Sequence, residues 1–105
     1  MQSGYHILLG FVEDRLVASC TALVIDNLTH EQRPYMLIEN VVTHPDFRRR
    51  GYGSQLLQSA IQLAGGQNCY KVMLLTGSKL PSTLDFYRRA GFNDRDKTAF
   101  IHWLP

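Results

Sequence analysis

The stretch DFRRRGYGSQLL, residues 46–57, sets three arginines directly before two glycines and the first turn of an apolar-periodic run. From there on, small and apolar residues recur at steps of three and four positions, which is the spacing of one helix face. These residues are Gly53, Leu56, Leu57, Ala60, Ile61 and Ala64. The pattern predicts an amphipathic helix that ends at Gly65 and Gly66, where a left-handed residue is expected after the last turn.

Strand-like segments lie on both sides of this helix. Residues 70–76 form a near-continuous apolar run, which predicts a strand buried on both faces. Pro81 can occupy the first turn of a second helix that runs to Ala90 and stops at Gly91. The predicted strands cover residues 5–12, 16–25, 35–43, 70–76 and 98–104, with a short strand at Phe92. This order predicts an α/β (α+β) fold: a mixed, mostly antiparallel sheet with hairpins at both ends, a central parallel βαβ step and two helices.

Length and composition limit the classes of function. A chain of 105 residues, 45% of them apolar, is expected to form a single domain over residues 1–105. The formal net charge of +2 argues against a nucleic-acid-binding protein, because such a protein normally presents a broad basic face. The sequence shows no leader-like pattern and no apolar run long enough to span a bilayer, so we expect a cytoplasmic protein without a membrane partner.

Metal and disulfide chemistry lack a signature in the sequence. Cys20 and Cys69 stand in apolar contexts without a CxxC pair or a neighbouring histidine. This pattern favours two buried thiols over a disulfide or a metal site. The four histidines share no spacing, so none is expected to bind a metal or to act as a catalytic base.

The glycines at positions 51 and 53 indicate an anion site at the start of the predicted helix. A helix start offers backbone N–H groups without intrahelical partners, together with the positive end of the helix dipole. The dinucleotide-binding pattern GxGxxG fails because Leu56 stands where its third glycine would be, and the P-loop pattern also finds no match. Arg48, Arg49 and Arg50 would then form a positive rim around the anion. A solvated basic loop and a nucleic-acid patch are the alternatives.

The segment RRRGYG, residues 48–53, fits the pattern Arg/Gln-x-x-Gly-x-Gly/Ala. It follows VVTHPDF at residues 41–47, and FYRRAGF stands downstream at residues 86–92. Together with their spacing and the intervening apolar strand, these segments resemble the GNAT superfamily of acyl-CoA-dependent N-acyltransferases, of the small bacterial type. The resemblance covers essentially the whole chain from Tyr5. IEN at residues 38–40 and CYK at residues 69–71 add a more distant likeness to glucosamine-6-phosphate N-acetyltransferases.

The resemblance implies that acetyl-CoA is the co-substrate and that no metal takes part. Backbone amides from about Arg49 to Ser54 would bind the diphosphate, and the strand backbone at Val41 and Val42 would pair with the pantetheine arm and the developing oxyanion. The side chains of both valines are expected in the core, since this role uses only the main chain. The implied cofactor-binding residues are Val41, Val42, Arg48, Arg49, Arg50, Gly51, Tyr52, Gly53 and Ser54.

The implied chemistry is transfer of an acetyl group to a primary amine by direct attack in a ternary complex. Glu39 would act as general base, often through water, with partial burial raising its pKa toward the working pH. A salt-bridged or solvent-facing glutamate is an equally weighted alternative. Tyr87 would return a proton to the leaving thiolate, unless it is an aromatic of the core face beside Leu84 and Phe86. The acceptor would be a small-molecule amine or a peptide amine.

Two departures from the family pattern keep a second class of function open. Leu80 stands where many members carry an asparagine that contacts the pantetheine arm, and Ser78 or Lys79 would have to replace it. In the family, a first strand and one or two helices that help to wall the acceptor site come before the position of Tyr5, so we expect an N-terminally short domain. That wall would then belong to a longer chain or to a partner subunit, or the acceptor site would be unusually open. The alternative function is therefore an acyl-CoA-binding regulatory or vestigial module without transfer activity. The expected terminal strand at residues 98–104 makes a homodimer attractive.

Overall fold

The computed structural model describes residues 4–105, which fall into two compact units, one up to Leu74 and one from Leu75 onward. The first unit holds a four-stranded sheet whose strands neighbour each other in chain order. The strands are β1 (Tyr5–Val12), β2 (Arg15–Ile25), β3 (Tyr35–Thr43) and β4 (Val72–Leu74). Pairs β1–β2 and β2–β3 are antiparallel, whereas β3 and β4 are parallel. The predicted mixed, mostly antiparallel sheet with a parallel βαβ step is confirmed.

Helix α1 (Tyr52–Gly66) connects β3 to β4 and packs against the first three strands. Its apolar face is the one that the three- and four-residue spacing predicted, with Leu57 and Ala60 fully buried. On β2, buried Ala18, Cys20 and Ala22 present small side chains, which lets the helix approach the sheet closely. The remaining sheet residues of the core are Val17, Met36 and Ile38.

The end of α1 differs from the prediction. The helix includes Gly66, and the left-handed residue that follows is Asn68, with φ 62, rather than a glycine. The N–H of Cys69 donates to the carbonyl of Ala64 at 3.0 Å, which closes the helix end. Asparagine tolerates the left-handed region better than most residues that carry a Cβ, so it can take this position.

Helix α2 (Pro81–Arg89) is the regular element of the second unit. Proline occupies its first turn, and Gly91 ends it with a φ of 103, both as predicted. The N–H of Phe92 donates back to the carbonyl of Tyr87 at 3.1 Å. No helix within residues 4–105 is both long enough and apolar enough to cross a bilayer.

The strands expected at Phe92 and at residues 98–104 are not formed in the described structure, and neither is the second hairpin. The apolar side chains of this segment are exposed, Trp103 by 81% and Phe100 by 93%. A strand is defined by pairing with a neighbour, so a β-favouring sequence alone does not produce one. The strand expected at residues 70–76 is limited to Val72–Leu74, and it is half-buried rather than buried on both faces.

Candidate functional site

The start of α1 is an uncapped helix end. Gly51 precedes the helix with φ 85, no side chain caps the end, and the first turn contains no acidic residue. The first amide to donate into the helix is that of Gln55, which donates to the carbonyl of Gly51 at 3.0 Å. The amides of Tyr52, Gly53 and Ser54 therefore have no intrahelical acceptor. Together with the helix dipole, these three amides make the start of α1 suitable for an anion.

Glycine is favoured at position 51 by the backbone conformation there, not by a lack of space for a side chain. A Cβ built on Gly51 would meet no atom within 4 Å, whereas its φ of 85 is a conformation that side chains disfavour. Gly53, in contrast, is buried on the face of α1 that packs on the sheet. The two glycines of the motif thus have different roles in this fold.

The three arginines before the helix are exposed. The Nε of Arg48 donates to the carbonyl of Thr43 at 3.2 Å. The guanidinium carbon of Arg50 lies 5.4 Å from the ring centroid of Phe47. Arg49 adopts a left-handed φ of 65. Arg48 and Arg50 thus contact neighbouring residues of the chain, and the positive rim around an anion stays a prediction.

Over its second half, β3 has a paired neighbour strand on one side only. The parallel ladder with β4 ends at the pair formed by Ile38 and Leu74. Beyond Ile38, the described sheet pairs β3 with β2 alone, for example at the partners Ser19 and Val42. The edge of β3 that faced β4 therefore presents N–H and C=O groups without a ladder partner within this sheet. Val41 and Val42 lie on this half of the strand.

A β-bulge in β3 changes which side chains face the core. Between the pairs Thr21–Glu39 and Ser19–Val42, Cys20 on β2 stands opposite both Asn40 and Val41. Asn40 carries the left-handed φ of 55 that accommodates the extra residue. After the bulge, Val41 is half-buried and Val42 is 55% exposed. The expectation that both valine side chains belong to the core is wrong for Val42, because the bulge shifts the alternation by one residue.

Glu39 lies directly before this bulge. Its side chain is exposed, so the expected partial burial is not observed. No ion pair of Glu39 occurs within residues 4–105, and the solvent-facing alternative describes its surroundings. A carboxylate in this position has direct access to water.

Tyr87 belongs to α2 in the second unit, where its ring is half-buried. The ring makes edge contacts with Phe86 at 5.0 Å and with Phe92 at 6.5 Å between centroids. An aromatic cluster therefore surrounds Tyr87, and its role as general acid stays a prediction. Ser78 is engaged locally, because its hydroxyl accepts a hydrogen bond from the amide of Leu80 at 3.2 Å.

Two residues that shape this region were missed by the sequence reasoning. Asn40 holds the bulge, and Arg15 places its guanidinium carbon 5.0 Å from the ring centroid of Phe47. Asn40 gave a weak signal as the second of two polar residues in an apolar strand. Arg15 gave none, because it lies at the start of β2, far along the chain from Phe47.

The two cysteines are free thiols, Cys20 buried and Cys69 half-buried. The expectation of buried thiols is thus confirmed for Cys20 only. Burial raises the pKa of the Cys20 thiol. Burial also raises the pKa of Cys69, although the charge of Arg33 partly opposes this. Neither thiol therefore has the lowered pKa of a nucleophile. Among residues 4–105, no three His, Cys, Asp or Glu side chains gather to hold a metal ion.

Known proteins resemble the chain in sequence. The family model of the acetyltransferase (GNAT) family matches residues 1–92. A glucosamine 6-phosphate N-acetyltransferase of Trypanosoma brucei brucei is 30% identical over 83 residues. The match covers 79% of this chain and 54% of that relative, so the chain spans about half the length of this curated relative.

Solved structures share the fold. A protein of Agrobacterium tumefaciens assigned as an acetyltransferase superposes with a TM-score of 0.91 at 45% identity, covering 98% of this chain and 71% of that one. A transcriptional regulator of Bacillus halodurans superposes with a TM-score of 0.86 at 26% identity, covering 97% and 68%. With the family model matching most of its length, the chain belongs to the acetyltransferase (GNAT) family, whose members use acetyl-CoA as co-substrate.

Proposed function

We propose that this chain transfers an acetyl group from acetyl-CoA to a primary amine by direct attack in a ternary complex. The observation that carries the proposal is the end of the β3–β4 ladder at Ile38 and Leu74, followed along the chain by the uncapped start of α1. The free edge of β3 suits an extended pantetheine arm, because such an arm can hydrogen-bond to a strand edge as a peptide does. The free amides of α1 suit the diphosphate at the end of that arm.

Each group in the proposed site has a defined task. The amides of Tyr52, Gly53 and Ser54 bind the diphosphate, and Arg48–Arg50 supply positive charge around it. The main chain at Val41 and Val42 binds the pantetheine arm and donates to the oxyanion that forms on the thioester carbonyl. The bulge at Asn40 sets the direction in which this main chain presents its N–H and C=O groups.

Glu39 and Tyr87 are the proposed proton-transfer groups. As the amine nitrogen bonds to the acetyl carbon, its proton passes to Glu39 through water, which the exposure of this carboxylate permits. As the carbon–sulfur bond breaks, the phenol of Tyr87 donates a proton to the thiolate. The balanced products are an amide and free coenzyme A.

The acceptor is proposed only as a class. The similarity to a glucosamine 6-phosphate N-acetyltransferase makes phosphorylated amino sugars the first compounds to screen. Polyamines, amino acids and peptides complete the panel.

Calorimetry with acetyl-CoA and a thiol-release assay over this amine panel test the proposal. Glu39→Gln and Tyr87→Phe are each expected to lower kcat by about 10²-fold or more, while the Kd for acetyl-CoA stays within about threefold. Gly53→Val is expected to abolish acetyl-CoA binding, with circular dichroism reporting whether α1 is retained and Gly53→Ala as the milder variant. Undetectable binding of acetyl-CoA by the unmodified chain would refute the proposal.

A second candidate is an acyl-CoA-binding regulatory module without transfer activity. The observation that favours it is the likeness to a transcriptional regulator of Bacillus halodurans at 26% identity. The module is expected to bind acetyl-CoA but to release no thiol with any amine of the panel. The two assays therefore separate the two candidates.

A further inference from the structure

Two arginines from different parts of the chain meet at one aromatic ring. Arg15 begins β2, and Arg50 belongs to the loop before α1. Their guanidinium carbons lie 5.0 Å and 5.4 Å from the ring centroid of Phe47, within the range of cation–π contacts. Phe47 thus has two positive charges near its ring, with guanidinium carbons at most about 10 Å apart since each lies within 5.4 Å of the same centroid.

Neither charge is neutralised by a carboxylate. Within residues 4–105, the contacts of 4.0 Å or less between basic and acidic side chains join His44 to Asp46 and Arg88 to Asp85 and Asp94, and none involves Arg15 or Arg50. Asp46, the acid next to Phe47 in the chain, instead has its carboxylate 3.9 Å from Nδ1 of His44. Arg15 and Arg50 are both exposed, so an anion that reaches both guanidinium groups would lower the electrostatic energy.

The pair lies beside the start of α1 but uses other atoms. Arg50 directly precedes Gly51, and the ring of Tyr52 lies 6.0 Å from that of Phe47. The diphosphate proposed above binds to main-chain amides of α1, whereas Arg15 and Arg50 offer side-chain donors. Guanidinium groups present paired N–H donors that match phosphate oxygens.

We propose that Arg15 and Arg50, held at Phe47, bind a phosphomonoester group distinct from the diphosphate. This inference rests on the proposed function. Two compounds can supply the group: coenzyme A through its 3′-phosphate, or a phosphorylated acceptor amine. Arg15 is then a residue that determines specificity although it lies outside the RRRGYG segment.

The first arm of the test compares acetyl-CoA with 3′-dephospho-acetyl-CoA by calorimetry. The unmodified chain is expected to bind acetyl-CoA about tenfold more tightly, in keeping with charge-assisted hydrogen bonds. In Arg15→Gln this preference is expected to fall to about twofold or less, with the affinity for the dephospho form unchanged. Arg15→Lys keeps the charge but lacks the paired N–H donors, so its preference for acetyl-CoA over the dephospho form is expected to lie between those of the unmodified chain and Arg15→Gln. Arg95→Gln, which removes one exposed positive charge from the second unit, is the matched control and should keep the preference.

The second arm compares glucosamine 6-phosphate with glucosamine as acceptors in the thiol-release assay. If the acceptor supplies the phosphate, Arg15→Gln raises KM for the phosphorylated sugar about tenfold and leaves the preference between the two cofactors unaltered. If neither sugar is a substrate, the cofactor arm alone decides.

The two possible failures are distinguishable. This inference is overturned if Arg15→Gln keeps the same preference as the unmodified chain, both between the two cofactor forms and between the two sugars, wherever an arm gives a signal. That outcome leaves the proposed function intact. Binding of neither cofactor form by the unmodified chain overturns the proposed function, and this inference with it. Thermal unfolding of Arg15→Gln and Arg15→Lys verifies that both variants are folded.

Discussion

Asn40 offers a direct test of the bulge that shapes the second half of β3. Its φ of 55 lies in the left-handed region, which glycine adopts freely and a β-branched residue strongly disfavours. The informative pair of variants is Asn40→Val and Asn40→Gly. Both remove the amide side chain, and only valine introduces a branched Cβ at this backbone conformation.

The expected difference follows from the backbone alone, because the side chain of Asn40 is exposed and buries no apolar area. A left-handed residue with a Cβ costs about 1–2 kcal/mol, and valine lies at the upper end of this range. Glycine removes this cost but gains about 0.5–1 kcal/mol of chain freedom in the unfolded state. We therefore expect Asn40→Gly to be within about 0.5 kcal/mol of the unmodified chain and Asn40→Val to be about 1–2 kcal/mol less stable. In a chain of this size each kcal/mol lowers Tm by about 4–8 °C.

Urea unfolding, followed by circular dichroism, measures the free energy of unfolding of each variant. The two values can be compared if the variants have equal m-values. Equal stability of the valine and glycine variants would refute the left-handed conformation of Asn40 and with it the bulge. A second readout is the affinity for acetyl-CoA. If valine removes the bulge, the alternation of Val41 and Val42 reverses, and binding through the β3 backbone should weaken.

Three further predictions concern the rest of the chain. Leu57→Ala should lower the free energy of unfolding by about 2–5 kcal/mol in urea, because Leu57 is fully buried, whereas Gln62→Ala on the exposed face of α1 should change it by less than about 0.5 kcal/mol. Iodoacetamide at pH 8 should modify Cys20 more slowly than Cys69 in the folded chain. Burial raises the pKa of the Cys20 thiol, which keeps it protonated, and burial also excludes the reagent. Mass spectrometry should find equal modification rates for the two cysteines in urea. Gly91→Ala should lower the free energy of unfolding by about 1–2 kcal/mol, because the φ of 103 at this position disfavours a side chain. No steric clash contributes, since a Cβ there meets no atom within 4 Å. An unchanged Tm in thermal unfolding would contradict that conformation.

Local chemistry made much of the first unit predictable. The limits of β1 and β3, the buried face of α1 and the start of α1 directly after Gly51 follow from apolar spacing and from glycine chemistry, which act over a few neighbouring residues. Pro81 and Gly91 delimited α2 for the same reason. The free amides at the start of α1 were likewise foreseeable, since every helix start has them.

Tertiary structure decided the features that depend on partners distant in the chain. Residues 98–104 have the composition of a strand, yet they form none in the described structure, because a strand requires a neighbour to pair with. The exposure of Val42 depends on the bulge between β2 and β3, which no local pattern specifies. The meeting of Arg15 and Arg50 at Phe47 requires the β1–β2 turn and the loop before α1 to lie at the same end of the sheet. Sequence spacing determined which residues could bind an anion, and chain topology determined which charges stand beside them, because electrostatic contacts depend on distance in space rather than along the chain.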